Sequence, residues 1–228
     1  MREGYDNSPL NPVAPVVWLV VLPIIAMEIA LSLGSSGYAG GATGVGWRQD
    51  AFQRFALAPA MLSDMIGNGR WDWDYAMRFV TYAFVHFNFT QTLFVCVFIL
   101  ALGKFVTEVF RPWAFIAVFL VATIVGGLVY CLVPGVKMAL IGGYPGAYGL
   151  IGAFTFIIWA RLGAMHANRA RAFSMIGFLM GIQLVFGLLF GGGYDWVADL
   201  AGFCAGFALS FVVAPGGVST IMARLRQR

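Results

Sequence analysis

Six apolar runs, each about as long as the roughly 20 residues a helix needs to cross a bilayer core, constrain this chain more than any other feature. They cover Val13 to Leu33, Phe84 to Val106, Pro112 to Val133, Tyr148 to Trp159 with a glycine-rich lead-in, Phe173 to Phe190, and Trp196 to Val213. Hydrocarbon offers no partner for an exposed backbone N–H, so runs of this length must close their hydrogen bonds internally as helices. With 61% hydrophobic and 11% charged residues, the composition excludes a soluble globule. The expectation is an all-α membrane protein, a six-helix bundle spanning residues 13–213, with polar tails at 1–12 and 214–228. The first run is long enough to stay in the membrane as an anchor, so it does not read as a cleaved leader.

The charges follow the connections. Arg2, Lys104, Arg111, Arg161, Arg169, Arg171, Arg224, Arg226 and Arg228 fall on one side of such a bundle. Arg48, Arg54, Arg70, Arg78 and Lys137 fall on the other, among Asp50, Asp64, Asp72, Asp74 and Asp195. This asymmetry predicts that both termini are cytoplasmic, and it accounts for the net charge of +4 without nucleic acid. Residues 34–78 form a long first loop whose apolar positions recur at three and four between Trp47 and Ile66. That pattern predicts short amphipathic helices in the interface, with Trp71 and Trp73 at headgroup depth.

The fourth run opens on Gly142 to Phe154, GGYPGAYGLIGAF. Gly142, Gly146, Gly149 and Ala153 recur at helical spacing, so a neighbouring backbone is expected to approach one face closely. No lysine-serine or lysine-threonine pair follows, which excludes a P-loop. The two histidines, His86 and His166, lie on opposite sides of the predicted bundle, and no metal-ligand or cofactor spacing is present. Cys96, Cys131 and Cys204 sit in apolar runs and read as packing residues. Glu28 has two readings, reaching interfacial water or making a contact inside the bundle. Asp199 likewise faces either a hydrated notch near the end of its helix or a specific partner.

Three segments, in order, carry a family resemblance. Met77 to His86, MRFVTYAFVH, resembles the WRxxTxxFxH segment of the rhomboid intramembrane serine proteases, with Arg78, Thr81, Phe84 and His86 in place and Met77 where tryptophan is usual. Gly142 to Ala153 is similar to their GxSGxxxGLxGA segment, and Ala198 to Gly206, ADLAGFCAG, to their AHxxGxxxG segment. The resemblance implies a rhomboid-like six-span fold in which Gly146, Gly149 and Gly152 meet Gly202 and Gly206 in a small-residue seam, with Arg78, His86 and Gly142 as structural positions.

Carried over residue by residue, the family's serine position falls on Tyr144, or on Pro145 with a one-residue gap. Its histidine base falls on Asp199, and the histidine and asparagine that support the oxyanion fall on Gln91 and Val95. A phenol with no histidine base is a poor acyl acceptor, so the resemblance implies a proteolytically inactive member. Such members bind membrane clients, and the expected partners are lipids and another integral membrane protein. Asp199, Tyr144, Tyr148, Trp71 and Trp73 are the candidate contacts, with Tyr144, Tyr148 and Phe203 expected to line a cavity. Two other readings stay open: a protease using Cys131 with His86 and Asp199, and a lipid- or solute-handling protein.

Overall fold

The computed structural model describes residues 13–190 and 193–215. The tail expected at 1–12, and all but the first two residues of that expected at 214–228, lie outside the described residues. Six helices are long and apolar enough to cross a membrane. In chain order the helices are α1 (Pro15–Ser35), α2 (Gly41–Gly44), α3 (Trp47–Phe55), α4 (Pro59–Gly67), α5 (Trp73–Thr81), α6 (Phe89–Val109), α7 (Pro112–Cys131), α8 (Tyr144–Ala164), α9 (Ser174–Phe190) and α10 (Asp195–Val213). Short 3-10 turns at Tyr82–Phe84 and Arg169–Phe173 precede α6 and α9.

Local chemistry sets the boundaries. Prolines stand in the first turns of α1, α4, α7 and α8, where a missing N–H costs nothing. The second span begins at Phe89 and not at Phe84, because the Asn88 side chain accepts the Gln91 N–H at 2.9 Å and caps the helix there. The glycine-rich lead-in to the fourth span is itself helical from Tyr144. Gly142 stands outside that helix at φ 105°, a left-handed conformation that favours glycine, so it does not share the helical face of Gly146 and Gly149.

The core joins Val17, Val21 and Ile24 of α1, Ile99 of α6, Phe115 and Phe119 of α7, and Leu150 and Ile151 of α8. The glycines of α8 serve two neighbours. A Cβ on Gly146 would press on the Phe119 ring and the Thr123 hydroxyl of α7, and one on Gly152 would strike Phe203 O of α10. From the other side, a Cβ on Gly202 or Gly206 of α10 would strike Pro145 O or Gly149 O. Backbone therefore lies on backbone along α8 and α10, the contact small residues permit in a membrane. By contrast α9 is loosely attached, with Ile176 its only buried side chain among those described.

The first loop is built from α2 to α5, of which α3 and α4 fall where the periodicity between Trp47 and Ile66 predicts helices, and it is also tied into the bundle. Leu57 pairs with Leu140 in a lone antiparallel bridge whose N···O distances are 3.0 and 2.8 Å. Arg78 donates to Asp74 at 2.8 Å, to Gln53 O at 2.8 Å and to Ala56 O at 3.3 Å, fixing α5 against the end of α3. Cys96 and Cys131 are buried as packing residues, whereas Cys204 is exposed, because its position on α10 turns away from α8.

Candidate functional site

The mouth of α8 is assembled from three separate parts of the chain. The Gly142 N–H donates to Tyr82 O at 2.9 Å, and the Gly143 N–H donates to His86 Nε2 at 3.1 Å. Because Nε2 accepts, the neutral imidazole carries its proton on Nδ1. Burial drives the His86 pKa down from 6.5 to about 4, aided by Arg48 and opposed by Glu28. The Tyr82 hydroxyl donates to Thr123 O at 2.7 Å, and burial raises its pKa well above that of a free phenol. Gln91 also closes on this mouth: its Oε1 accepts the Phe87 N–H at 2.8 Å, and a Cβ on Gly142 would lie 3.0 Å from its Nε2. Val95 is fully buried and packs beside Gly143.

Behind the mouth lies an ionic cluster. Arg48 of α3 donates to Glu28 Oε1 at 2.7 Å and Oε2 at 3.1 Å, and also to His86 O at 2.8 Å. Ser32 and Thr92 donate to the same carboxylate at 2.7 and 2.9 Å. Glu28 is 5% exposed. Of its two readings the contact inside the bundle is the one observed, because four donors replace the water it would otherwise reach.

A second polar chain crosses the helices. Tyr148 of α8 donates to Gln183 Oε1 of α9 at 3.3 Å, and Gln183 Nε2 donates to Asp199 Oδ2 of α10 at 2.8 Å. Asp199 is only 3% exposed, so it sits in no hydrated notch; the amide of Gln183 is its partner. Tyr144 is half-buried at the first position of α8 and packs on the main core, and Pro145 is buried beside Gly202.

These placements revise the candidate contacts. Tyr148 and Asp199 are buried and engaged within the bundle, so a partner does not reach them in this conformation. Phe203 is buried too, its ring against Phe207 and Phe173, and it packs the helices where a cavity lining was expected. Trp71 and Trp73 are 77% and 74% exposed. Cys131 is buried with Leu57, Leu140 and Ala198, while the Nε2 of His86 is occupied by Gly143; the three residues of a cysteine protease are not brought into hydrogen-bonding contact. His166 follows the far end of α8, about 30 Å from its mouth at 1.5 Å per residue. Among the described residues no cluster of histidine, cysteine or carboxylate could hold a metal ion.

Sequence reasoning did not find Gln183 or Arg48 as partners of the two deep carboxylates. The signal available was the mere presence of Gln183 in an apolar run and of Arg48 in the loop after Glu28; neither names its partner.

The architecture is that of a polytopic α-helical membrane protein whose fourth span, α8, is gripped by α7 and α10. Residues 74–216 match the Rhomboid domain family, which is more than half of the chain, and the chain therefore belongs to the rhomboid family. A comparison with curated proteins finds no match.

Proposed function

We propose that this protein is a proteolytically inactive rhomboid that binds other transmembrane proteins, as a client-handling factor or as an accessory subunit of a membrane complex. The observation that carries the reading is the engagement of Asp199. It occupies the position the resemblance gives to the histidine base, and its carboxylate is hydrogen-bonded to Gln183 at 2.8 Å. A serine-type mechanism needs a nucleophile, a base within reach of it, and donors aimed at the oxyanion. The corresponding positions hold Tyr144 or Pro145, Asp199, Gln91 and Val95, and the nearby His86 has its Nε2 accepting from the Gly143 backbone. Retention of the glycine packing beside this altered chemistry favours a scaffold kept for binding.

Cytoplasmic placement of both termini accords with the arginine and lysine distribution, and a bacterial inner membrane accords with the six-span form of the resemblance. Its exposed first-loop tryptophans offer a surface for lipid or for a partner helix.

Two measurements test the reading. Purified protein in liposomes with an engineered transmembrane substrate is expected to yield no cleavage. Cleavage that disappears in Tyr144→Phe or Cys131→Ala overturns it. Purification of the tagged chain in mild detergent, followed by mass spectrometry, separates the two forms of binding: a subunit retains its partner stoichiometrically, whereas a client handler loses most of it.

A further inference from the structure

A cleft of about 480 Å³ opens between α3 and α5, lined by Asp50, Gln53, Arg54, Asp74 and Arg78. Its volume falls within the roughly 300–1,000 Å³ of small-molecule sites. Two of its charges cancel internally, since Arg78 is held by Asp74 and by the carbonyls of Gln53 and Ala56. The other two do not. Asp50 and Arg54 stand one helical turn apart on α3, both exposed, and neither side chain makes an ion pair or hydrogen bond with the described residues. An unpaired anion and an unpaired cation thus share the rim of a cleft whose floor is held rigid.

We propose that this cleft takes the headgroup of a zwitterionic membrane phospholipid that carries a primary ammonium, with the phosphate on Arg54 and the ammonium on Asp50. The four lining charges sum to zero, which fits a zwitterion better than an anionic headgroup. Side chains at i and i+4 stand about 6 Å apart at Cβ, a span that a phosphate and an ammonium joined by two carbons can bridge. Guanidinium matches phosphate oxygens in a planar fork. Asp50 and the Gln53 amide oxygen offer acceptors to the three N–H groups of a primary ammonium. A quaternary ammonium is recognised by aromatic faces, and none lines this cleft.

The position suits a lipid. The first loop joins the end of α1 at Ser35 to the start of α6 at Phe89, and so lies at one end of the bundle. Exposed Trp71 stands just ahead of α5 and exposed Trp73 is its first residue, next to Asp74, and tryptophan concentrates at headgroup depth. Acyl chains anchored beside those indoles leave the headgroup facing the cleft.

The test uses the full chain purified from mixed micelles containing equal phosphatidylethanolamine, phosphatidylcholine and phosphatidylglycerol, with retained lipid counted by native mass spectrometry. Phosphatidylethanolamine is expected to be enriched over the other two, and Arg54→Gln and Asp50→Asn each to lower its retention by about threefold. Both positions are exposed, so the unfolding midpoint of each variant should match the parent. Equal retention of the three lipids, or variants that retain phosphatidylethanolamine like the parent, overturns the proposal. Glycerophosphoethanolamine carries the same headgroup without tails; saturable binding of this soluble compound without enrichment of the intact lipid overturns the assignment to a membrane source.

Discussion

Arg48 Nη2 lies 2.7 Å from Glu28 Oε1, joining the first loop to the first span inside the protein. The Glu28 carboxylate is almost fully buried and the Arg48 side chain is 19% exposed, so each offsets the other's charge where little water can. Among the described residues, Glu28→Ala leaves the guanidinium with His86 O and Ser32 as its remaining partners. Removing one member of a buried pair costs about 3–5 kcal/mol, and the residual exposure of Arg48 places this one near about 3 kcal/mol. Thermal unfolding in detergent should show a clearly lowered Tm for Glu28→Ala and a smaller drop for Glu28→Gln, which keeps one acceptor. An unchanged Tm in Glu28→Ala would mean that the pair holds nothing together.

His86 makes the stability of the α8 mouth depend on pH. Its folded pKa, about 4, lies below the ordinary value of 6.5, so the fold favours the neutral ring that accepts from Gly143. The stabilisation is fully present above pH 6.5 and is lost as pH falls toward 4, because in that window the unfolded chain binds the proton and the folded chain does not. Between pH 7 and pH 5 the loss amounts to about 2 kcal/mol. Over that range the parent should lose about 2 kcal/mol more stability than His86→Gln, the difference between the two unfolding profiles isolating the ring. A slope of equal size in His86→Gln would assign it to other groups.

The six spans were legible because hydropathy is a local property, and 18 to 20 apolar residues declare themselves without knowledge of neighbours. The glycine positions of α8 and α10 were legible for a similar reason: spacing of three and four marks a helix face. Ends were less so. The start of α6 depends on one side chain, Asn88, whose cap overrides the apolar character of Phe84 to Phe87. The polar partners were illegible. Glu28 and Arg48 are 20 residues apart, Gln183 and Asp199 are 16 apart, and Thr92 lies 64 from Glu28. No local pattern encodes which of several donors closes on a buried carboxylate, and so the sequence offers each acid two readings.

Close packing between α8 and α10 predicts a sharp contrast between glycines. A methyl group on Gly206 meets the Gly149 backbone, which has no flexible end to swing away, whereas one on Gly181 of α9 meets nothing within 4 Å. Gly206→Ala should destabilise by about 1–3 kcal/mol, and Gly181→Ala should stay within about 0.5 kcal/mol of the parent. Unfolding midpoints of the two variants measured side by side check this. Equal midpoints would show that the helices separate easily.

Gln183 is the polar tie between α9 and the bundle. It accepts from Tyr148 and donates to Asp199, while the rest of α9 is largely exposed. Gln183→Leu preserves the size and apolar character of the helix but leaves a buried carboxylate and a buried hydroxyl without their partner. Leaving such groups unsatisfied costs about 1–3 kcal/mol, and α9, with little other packing to hold it, is where the loss should show. Hydrogen exchange by mass spectrometry should record faster exchange in peptides from residues 174–190, with those from α7 and the body of α8 unaltered. Asp199→Asn retains an acceptor for the Gln183 amide and should leave α9 closer to the parent. If exchange in Gln183→Leu accelerates equally across all six spans, the residue supports the whole bundle and the tie is not specific to α9.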